Sequence, residues 1–483
     1  MNPFDVKYGA DKLKQPINFI GLLIVALILA YLIATKGILF GLLAIALPVA
    51  AVVLNRVFNI PFIGFIFVFI MNFFALGITR YLPAPLGLTI DGLLVLTYLG
   101  LIFKNFYKKV DWSPAKSDLT LLAIIWYGYV LFQLVNPEAA SRAAWFYAMR
   151  GVGLYMLLTI PLTFILFQDV KKFDKFLKLW ALFSIIGSLK GIMQLFWGVD
   201  PWEQAWLDSG GAVTHILFGK LRIFSFYSDA GQFGAAQGHA GVVFLIIALN
   251  MKSNKKLRNF YYLAGFLGLY GLLISGTRGA IAVPAAGFFL YFILSKNIKL
   301  ILLGVLAGVS VFVFLKYTTI LQSNYQIRRI RTALDPNNPS LQTRLNNQAK
   351  LKVYLATRPL GGGLGSAGNW GKRFSPNTFL ANTATDSWYV AIWAEMGIVG
   401  LVLHLTILLY ILLKSSYYVF SKIKNELLRA KMNALVSGYF GIMVASYGNG
   451  ILGQMPTGII IYMSMAFLFM SLKYDKQLQN ESA

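Results

Sequence analysis

Long apolar runs separated by short polar segments extend from Ile17 to Met470. A helix needs about 20 mostly apolar residues to cross the hydrocarbon core of a bilayer. Segments close to that length recur along the chain, at 17–35, 37–54, 59–77, 86–103, 118–135, 149–167, 174–195, 232–250, 260–275, 279–295, 299–315, 388–413, 432–449 and 453–471. The pattern predicts an all-α, polytopic integral membrane protein with about fourteen transmembrane helices, twelve being possible.

The spacing of these runs divides the chain into four parts. N-terminal transmembrane helices are predicted in 1–173, and central transmembrane helices in 174–315 with an outer loop at 196–231. The long polar segment 316–387 is predicted to be an extracytoplasmic loop, and C-terminal transmembrane helices follow in 388–483. An even number of crossings places both termini on the same side.

Basic residues are distributed unevenly between the two sets of loops. Lys and Arg in short loops are retained on the cytoplasmic side of a membrane. With a cytoplasmic N-terminus, the inner loops and helix ends hold 25 of the 43 basic residues. The short outer loops and helix ends hold eight, namely Lys36, Arg80, Arg142, Arg150, Lys220, Arg222, Arg278 and Lys316. This asymmetry predicts cytoplasmic N- and C-termini.

Composition narrows the possible chemistry. Hydrophobic residues make up 58% of the chain and charged residues 13%, an apolar fraction too high for a soluble domain. Cysteine is absent and only three histidines occur, so neither a cofactor nor a metal ion is expected. The net charge of +25 comes mostly from lysines in loops. The chain has no motif of aromatic and basic residues that is typical of nucleic-acid binding, so no nucleic-acid partner is predicted.

The long outer segment contains a predicted amphipathic helix. Residues 342–357 lack Pro and Gly, and they carry apolar residues at helical spacing, namely Leu345, Ala349, Val353 and Ala356. Such a helix is expected to lie at the membrane surface. Arg344 and Arg358 flank it.

A glycine-rich stretch follows this helix, Arg358-Pro-Leu-Gly-Gly-Gly-Leu-Gly-Ser-Ala-Gly368. So many glycines favour a close backbone approach to a ligand, and Gly363 and Gly365 are candidates for a phosphate-binding nest. A nucleotide-binding P-loop is not predicted, because that motif requires Ser or Thr after Gly-Lys and Arg373 stands there.

Four arginines at separate points of the chain are predicted to lie at the outer face: Arg222, Arg278, Arg344 and Arg358. The planar guanidinium group suits phosphate and diphosphate recognition. Any one of these residues could instead contact lipid headgroups or solvent. As a set, they predict an anionic substrate whose phosphates lie at headgroup height.

Ionisable side chains inside membrane spans are costly and indicate function by default. Lys190 and Glu395 are therefore candidate substrate-binding residues, although Lys190 and Asp91 lie near outer helix ends, where they could snorkel or pair. His239 and His404 are equally consistent with neutral polar groups that pack between helices.

Several of these motifs, taken in order, resemble the O-antigen ligase and O-antigen polymerase superfamily of bacterial envelope glycan enzymes. The resemblance covers about residues 180 to 410. It rests on Arg222 before a Phe-rich turn, Ser275-Gly-Thr-Arg-Gly-Ala280, Arg344 followed by the glycine-rich stretch, and Asp386-Ser-Trp-Tyr-Val-Ala-Ile-Trp-Ala-Glu395. The family usually has His-Asn or His-Ser nine residues before the Glu, and this chain has Asp386 and Ser387 there.

The resemblance implies a membrane-embedded, metal-independent glycosyltransferase of the bacterial inner membrane. Its donor would be a glycan linked to undecaprenyl diphosphate, and its acceptor a hydroxyl of a glycan, of lipid A-core or of a protein, at the extracytoplasmic face among membrane lipids. Transfer would invert the anomeric centre. Arg222 and Arg344, with Arg278, would hold the diphosphate, while Asp386 would act as base or orient the acceptor.

Other interpretations remain open on the sequence alone. Asp386 could instead cap the helix that begins near Trp388, since Asp commonly accepts backbone N–H bonds there. Protein O-oligosaccharyltransferase activity would use the same donor. A flippase or secondary transporter would show pseudo-repeats and charges at the membrane midplane, and a non-catalytic scaffold would leave the outer arginines unexplained.

The predicted orientation can be tested by single-cysteine labelling, because the chain contains no cysteine. We expect Lys350→Cys, in the long segment, to react with a membrane-impermeant maleimide in intact spheroplasts. Lys255→Cys, in a predicted inner loop, should react only after the membrane is opened. Labelling of Lys350→Cys from the cytoplasmic side alone would contradict the orientation.

Overall fold

The computed structural model describes residues 16–37, 48, 51–82, 84–217, 219–323, 325–332 and 337–482. These residues are mainly helical. In the part of the chain described, the strands are β1 (Ile216–Leu217) and β2 (Lys220–Leu221), which pair antiparallel with Ile216 opposite Leu221. The predicted all-α class is confirmed.

The helices are α1 (Pro16–Lys36), α2 (Pro61–Ile78), α3 (Gly87–Tyr107), α4 (Asp118–Phe132), α5 (Arg142–Met149), α6 (Tyr155–Leu166), α7 (Val170–Trp197), α8 (Pro201–Trp206), α9 (Ala212–His215), α10 (Ala230–Asn250), α11 (Lys255–Ile274), α12 (Ala282–Leu294), α13 (Ile298–Tyr317), α14 (Tyr325–Arg331), α15 (Pro339–Leu355), α16 (Gly368–Phe374), α17 (Trp388–Tyr417), α18 (Glu426–Ala445) and α19 (Thr457–Ser482). Residues 51–59 are also helical. A π-helical turn, Arg150–Leu154, joins α5 to α6, and a 3₁₀ turn, Arg278–Ile281, precedes α12.

Ten helices in the described ranges are long and apolar enough to cross a membrane. Two shorter apolar helices, Leu23–Thr35 and Arg278–Leu294, accompany them. Every predicted span except one coincides with a helix. The helix at the predicted span 432–449 is α18, which begins before that span, at Glu426. The remaining span, 37–54, lies largely outside the described residues. The protein is therefore a polytopic membrane protein.

The chain separates into two compact units. One comprises Met1–Phe65 with Val95–Val110, and the other Ile66–Leu94 with Asp111–Ala483. All the candidate site residues belong to the second unit.

Helix α10 forms the centre of the second unit. Its residues are buried from Ala230 to Ala248, apart from Gly231, and it packs against α11, α12 and α18. Small residues allow this close approach: a side chain at Gly268 of α11 would meet the backbone of Gln237 and Gly241. Close packing through small residues is typical of helices that associate within membranes.

Helix α13 contrasts with α10. None of its residues is buried, and its mean hydropathy is 2.6 over the best window. It contacts α12, where Gly304 lies against Phe292, and it contacts α14 near its end, where Arg331 donates to the Phe314 carbonyl at 3.4 Å. Such a helix presents nearly its whole circumference to lipid.

Candidate functional site

Arg222 follows the small hairpin and is held by its own neighbourhood. Its backbone N–H donates to the carbonyl of His215 at 2.7 Å, and its guanidinium donates to the carbonyl of Thr214 at 3.0 Å. A third bond, of 2.9 Å, reaches the hydroxyl of Thr277, which precedes Arg278. The hairpin and the turn after α11 are therefore joined through Arg222.

Arg80 fixes the turn that follows Arg222. Its guanidinium donates to the carbonyls of Ser225 at 2.8 Å and Ser228 at 3.2 Å, and it lies over the Trp206 and Phe224 rings at 4.5 and 4.4 Å. Burial lowers the pKa of Arg80 to about 10, so the residue stays charged at neutral pH. Sequence reasoning counted Arg80 among the outer basic residues but assigned it no role, since nothing local indicates its distant carbonyl partners.

His215 joins the hairpin to the start of α10. Its Nε2 accepts the N–H of Ala230 at 3.2 Å, and its Nδ1 lies 3.0 Å from the carbonyl oxygen of Gly211. Burial lowers the pKa of His215, and the nearby charges of Arg222 and Arg80 add to that effect. His215 is therefore neutral near pH 7 and serves as an acceptor beside Arg222.

Arg278 lies in the turn that Arg222 reaches. Its two terminal nitrogens donate to the hydroxyls of Thr332 at 3.1 Å and Ser340 at 3.2 Å. Thr332 follows α14, and Ser340 lies in the first turn of α15. The structure thus brings Arg222 and Arg278 to the same turn and connects that turn to the long segment 316–387.

One face of α15 lies against the rest of the unit. At successive helical turns along it, Ser340 contacts Arg278, Arg344 faces Asp386, and Asn347 donates to the carbonyl of Ala384 at 3.2 Å. Further along the same face, Leu351 and Leu355 are buried in a cluster with Ala367, Leu380, Val390 and Ala394. Because residues at i, i+4 and i+7 share one side of a helix, this stripe fixes both the rotation and the position of α15.

The predicted amphipathic helix is present as α15, but the apolar residues that were predicted to form its stripe are not the ones that pack against protein. Leu345 and Val353 remain 44% and 79% exposed. The packed face contains Leu351 and Leu355 instead. The exposed stripe is thus available to a membrane surface, while the opposite face binds protein.

Asp386 and Arg344 form an ion pair at the end of the long segment. The Arg344 Nε and Asp386 Oδ2 atoms are 3.8 Å apart, and the two side chains are 37% and 48% exposed. The backbone of Asp386 has a positive φ of 46°, which is uncommon for a residue other than glycine. The pair is accessible from outside the protein.

The helix-cap interpretation of Asp386 is wrong. Ser387 is the N-cap of α17, and its hydroxyl accepts the N–H of Val390 at 3.4 Å. The Ser387 hydroxyl also donates to the carbonyl of Ser446, which accepts the N–H of Trp388 at 3.0 Å. Asp386 lies one residue before the cap, and its side chain is directed to Arg344.

The loop after α18 lies between these two groups of residues. Ser446 binds the start of α17, as described above, and three residues later the Asn449 side chain lies against Gly279, next to Arg278. A side chain at Gly279 would overlap the Asn449 amide. The loop therefore supports both the Arg278 turn and the segment that carries Asp386.

The glycine-rich stretch packs against protein. Gly363 and Gly365 have φ of +90° and +83°, and side chains there would overlap Ala139 and Ala144. The N–H groups of Gly365 and Ala367 donate to the Glu395 carboxylate, the latter at 3.0 Å. Two amides of the predicted phosphate nest thus already bind an anionic side chain, and Gly363, Gly365 and Glu395 form a structural unit.

A break in α17 accommodates this stretch. Gly397 has φ of +69°, and a side chain there would overlap the carbonyl of Pro359. The Gly362 N–H donates to the Ala394 carbonyl at 2.9 Å. Only a glycine leaves the space in which the loop backbone meets the interrupted helix.

Arg358 and Lys190 are paired with carboxylates elsewhere. Arg358 binds Glu138 at 2.8 Å, a contact that raises the pKa of Arg358, and it lies beyond the end of α15 opposite Ser340. From Ser340 to Leu355 that helix rises ~22 Å. Lys190 lies 3.2 Å from both Asp200 and Glu203. The described ion-pair partners of both residues thus lie outside the Arg222 and Arg278 turn.

The other ionisable residues of the spans that the sequence analysis named also contact protein groups. Asp91 pairs with Arg150 at 2.8 Å, where the π-helical turn begins. His404 accepts the Trp388 indole N–H at 2.9 Å. His239 is buried against Trp180, with ring centroids 4.8 Å apart. These residues hold helices together.

Residues 263–405 match the family model described as O-antigen ligase. The chain contains an O-antigen ligase domain. The match supports membership of the O-antigen ligase superfamily, and it agrees with the resemblance drawn from the motifs. A comparison with curated proteins gives no match.

The O-antigen ligase domain begins within α11 and ends within α17. It contains Arg278, Arg344, Arg358, Gly363, Gly365, Asp386 and Glu395, whereas Arg222 and Lys190 precede it. The Arg278 turn, α15 and the Asp386 segment therefore all belong to the matched region. Arg222 joins them through Thr277.

The assignment of the cap to Ser387 predicts unequal effects on stability. Ser387→Ala removes the cap and should cost about 1 kcal/mol, seen as a lower temperature of thermal unfolding in detergent. Asp386→Asn should leave that temperature nearly unchanged, because Asn tolerates positive φ and Ser387 still caps α17. An unchanged unfolding temperature in Ser387→Ala would contradict the assignment of the cap to Ser387.

Proposed function

We propose that this protein transfers a glycan from an undecaprenyl diphosphate-linked donor to an acceptor hydroxyl at the extracytoplasmic face of the bacterial inner membrane. The O-antigen ligase domain supports glycan transfer of that general type. The finer proposal rests on one observation. Arg222 and Arg278 meet at one turn, and one face of α15 connects that turn to the accessible carboxylate of Asp386.

In this proposal Arg222 and Arg278 bind the diphosphate of the donor. Both guanidinium groups are oriented in part by hydroxyl and carbonyl oxygens around this turn. As the bond between the anomeric carbon and the diphosphate breaks, negative charge grows on the leaving oxygen. Donors fixed in advance stabilise that charge without reorganising.

Asp386 is the proposed base or acceptor-orienting residue. The acceptor oxygen forms a bond to the anomeric carbon from the face opposite the diphosphate, whose oxygen leaves with the bonding electron pair. The hydroxyl proton passes to the Asp386 carboxylate, and the anomeric centre is inverted. Arg344 is the positioning residue, because its ion pair orients Asp386 at the start of α17.

The extracytoplasmic location is supported by the charge asymmetry of the loops, which predicts that the long segment 316–387 lies outside. The acceptor is a hydroxyl on a glycan, on lipid A-core or on a protein. All three acceptors use the same donor chemistry, so the assay below begins from the donor.

If the arginines act as proposed, a positive charge without the planar guanidinium group will not support glycan transfer. Arg222→Lys and Arg344→Lys should fold normally, yet each should lower turnover on the order of 10²-fold, because a point charge replaces a planar fork that faces the diphosphate in Arg222 and orients Asp386 in Arg344. Arg142→Lys, at an exposed outer position, is the matched control. Transfer from purified lipid-linked donor is measured in a single turnover, and near-native rates in both variants would remove these arginines from the mechanism.

The Asp386 role predicts a separation of binding from turnover. Asp386→Asn should retain donor affinity while turnover falls by roughly 10²–10⁴-fold, the usual contribution of a positioned acid or base. Asp386→His should keep more activity than Asn. Its acidic limb should lie nearer neutral pH, because imidazole takes up a proton at higher pH than a carboxylate does.

Asp208→Asn removes an exposed carboxylate from an outer loop and serves as the control for Asp386→Asn. A fully active Asp386→Asn variant would exclude Asp386 from the reaction and leave the arginines to act alone.

A further inference from the structure

The C-terminal end of α18 is exposed on one side, although most of the helix is buried. Every residue from Lys431 to Tyr439 is buried, and α10, α12, α17 and α19 pack against the helix. Phe440 and Val444 lie one helical turn apart on the same side of α18. Phe440 is half-buried, Val444 is 41% exposed, and Tyr447, just beyond the helix, is 60% exposed. These side chains are therefore most accessible at the end of the helix bundle where α17 begins.

Tyr447 is positioned by the turn that follows α18. Its N–H donates to the carbonyl of Val444 at 3.2 Å, and the N–H of Gly448 donates to the carbonyl of Ala445 at 3.0 Å. Bonds between residues three apart continue the helix as a tighter turn, in which side chains three apart lie one above the other. Tyr447 thus follows Val444 along the exposed side.

The residue before Tyr447 binds the segment that carries Asp386. The Ser446 carbonyl accepts the N–H of Trp388 at 3.0 Å and the hydroxyl of Ser387 at 3.3 Å. Ser387 directly follows Asp386 in the chain. Tyr447 is therefore held next to the start of α17, on the side of the proposed base.

The residues after Tyr447 lie against the Arg278 turn. A Cβ at Gly279 would overlap the Asn449 amide and would lie 3.5 Å from the carbonyl oxygen of Gly448, so the two backbones are close together. Gly279 directly follows Arg278 in the chain. Tyr447 therefore lies between the turn that carries Arg278 and the segment that carries the proposed base.

The position of Tyr447 indicates which part of the donor it meets. In the proposed reaction the anomeric carbon is bonded to the diphosphate oxygen, and the acceptor oxygen attacks it from the opposite face. The first sugar of the donor then lies between the phosphates at Arg278 and the acceptor at Asp386. A tyrosine suits this place, because the negative face of its ring attracts the C–H groups on one face of a pyranose while its hydroxyl stays in water.

We propose that Tyr447 binds the first sugar of the lipid-linked donor by packing its exposed ring against one face of that sugar. The inference rests on the proposed function, and it adds a residue that recognises the glycan rather than the diphosphate. The ligand class is a pyranose with several C–H groups on one face.

The experiment compares the binding of two ligands to the full chain in phosphatidylcholine nanodiscs. One is the lipid-linked donor purified from the cells that make this protein, and the other is undecaprenyl diphosphate, which lacks the sugar. Tyr447→Ala should raise the Kd of the lipid-linked donor by about 10-fold, as expected for the loss of an aromatic contact and its buried area. The Kd of undecaprenyl diphosphate should stay within about 2-fold of the wild type, as is usual for a surface substitution that touches no part of the ligand.

Two more variants test the role of the ring. Tyr447→Phe keeps the aromatic face and should bind the lipid-linked donor within about 2-fold of the wild type. Tyr447→Leu keeps apolar bulk without that face and should bind the lipid-linked donor more weakly than Tyr447→Phe. Tyr317→Ala is the matched control, because it removes a tyrosine of similar exposure, 69%, from the end of α13. It should change neither Kd by more than about 2-fold.

The outcomes separate this inference from the proposed function. Retained binding of undecaprenyl diphosphate shows that a Tyr447 variant is folded. If Tyr447→Ala weakens both ligands equally, as a contact with membrane lipid or a support of the fold would, or if it weakens neither, the sugar contact is wrong and the proposed function stands. Binding of the lipid-linked donor as weak in Tyr447→Phe as in Tyr447→Ala would also overturn the packing of the ring. If the unaltered protein binds neither ligand, the proposed function and this inference both fail.

Discussion

The candidate site depends on the way in which α15 is held along one face. Hydrogen bonds and an ion pair secure its first half, through Ser340, Arg344 and Asn347, and buried leucines secure its second half. Polar contacts specify register, since each requires one particular partner, whereas apolar contacts provide most of the free energy. Moving α15 by one helical turn would break the contacts of Ser340 with Arg278 and of Arg344 with Asp386.

The basic residues have two kinds of described partner, carboxylates and neutral oxygens. Arg358, Arg150 and Lys190 each contact a carboxylate, and those pairs join helices or loops. Arg222 and Arg278 are oriented by carbonyl and hydroxyl oxygens at one turn. Arg80 fixes the turn that follows Arg222 by donating to the backbone carbonyls of Ser225 and Ser228. A ligand with several negative charges would meet arginines whose directions are already fixed.

The helices could be predicted from the sequence because apolar length alone identifies them. Arg222, Arg278, Arg344 and Asp386 were predicted as site residues because the motifs follow one another in order, and those roles stay predictions. Contacts between residues distant in the sequence could not be predicted. The glycine-rich stretch was expected to bind phosphate, yet Glu395, some thirty residues later, lies on its amides. Arg80 was overlooked because it contacts carbonyls elsewhere in the chain. Neighbouring Asp386 and Ser387 are both good caps, and only the backbone geometry decided between them.

Helix α13 connects α12 to the arginine-bearing α14 while burying none of its own residues. Its 20 residues span ~30 Å, close to the hydrocarbon thickness of an average bilayer. A helix so exposed to lipid responds to hydrophobic mismatch by tilting, because few protein contacts oppose it. Since Arg331 attaches α14 to the end of α13, a thinner bilayer would shift the height of α14 relative to Arg278. The acyl-chain length of the surrounding lipid would then change the position of part of the long segment without any change in the protein.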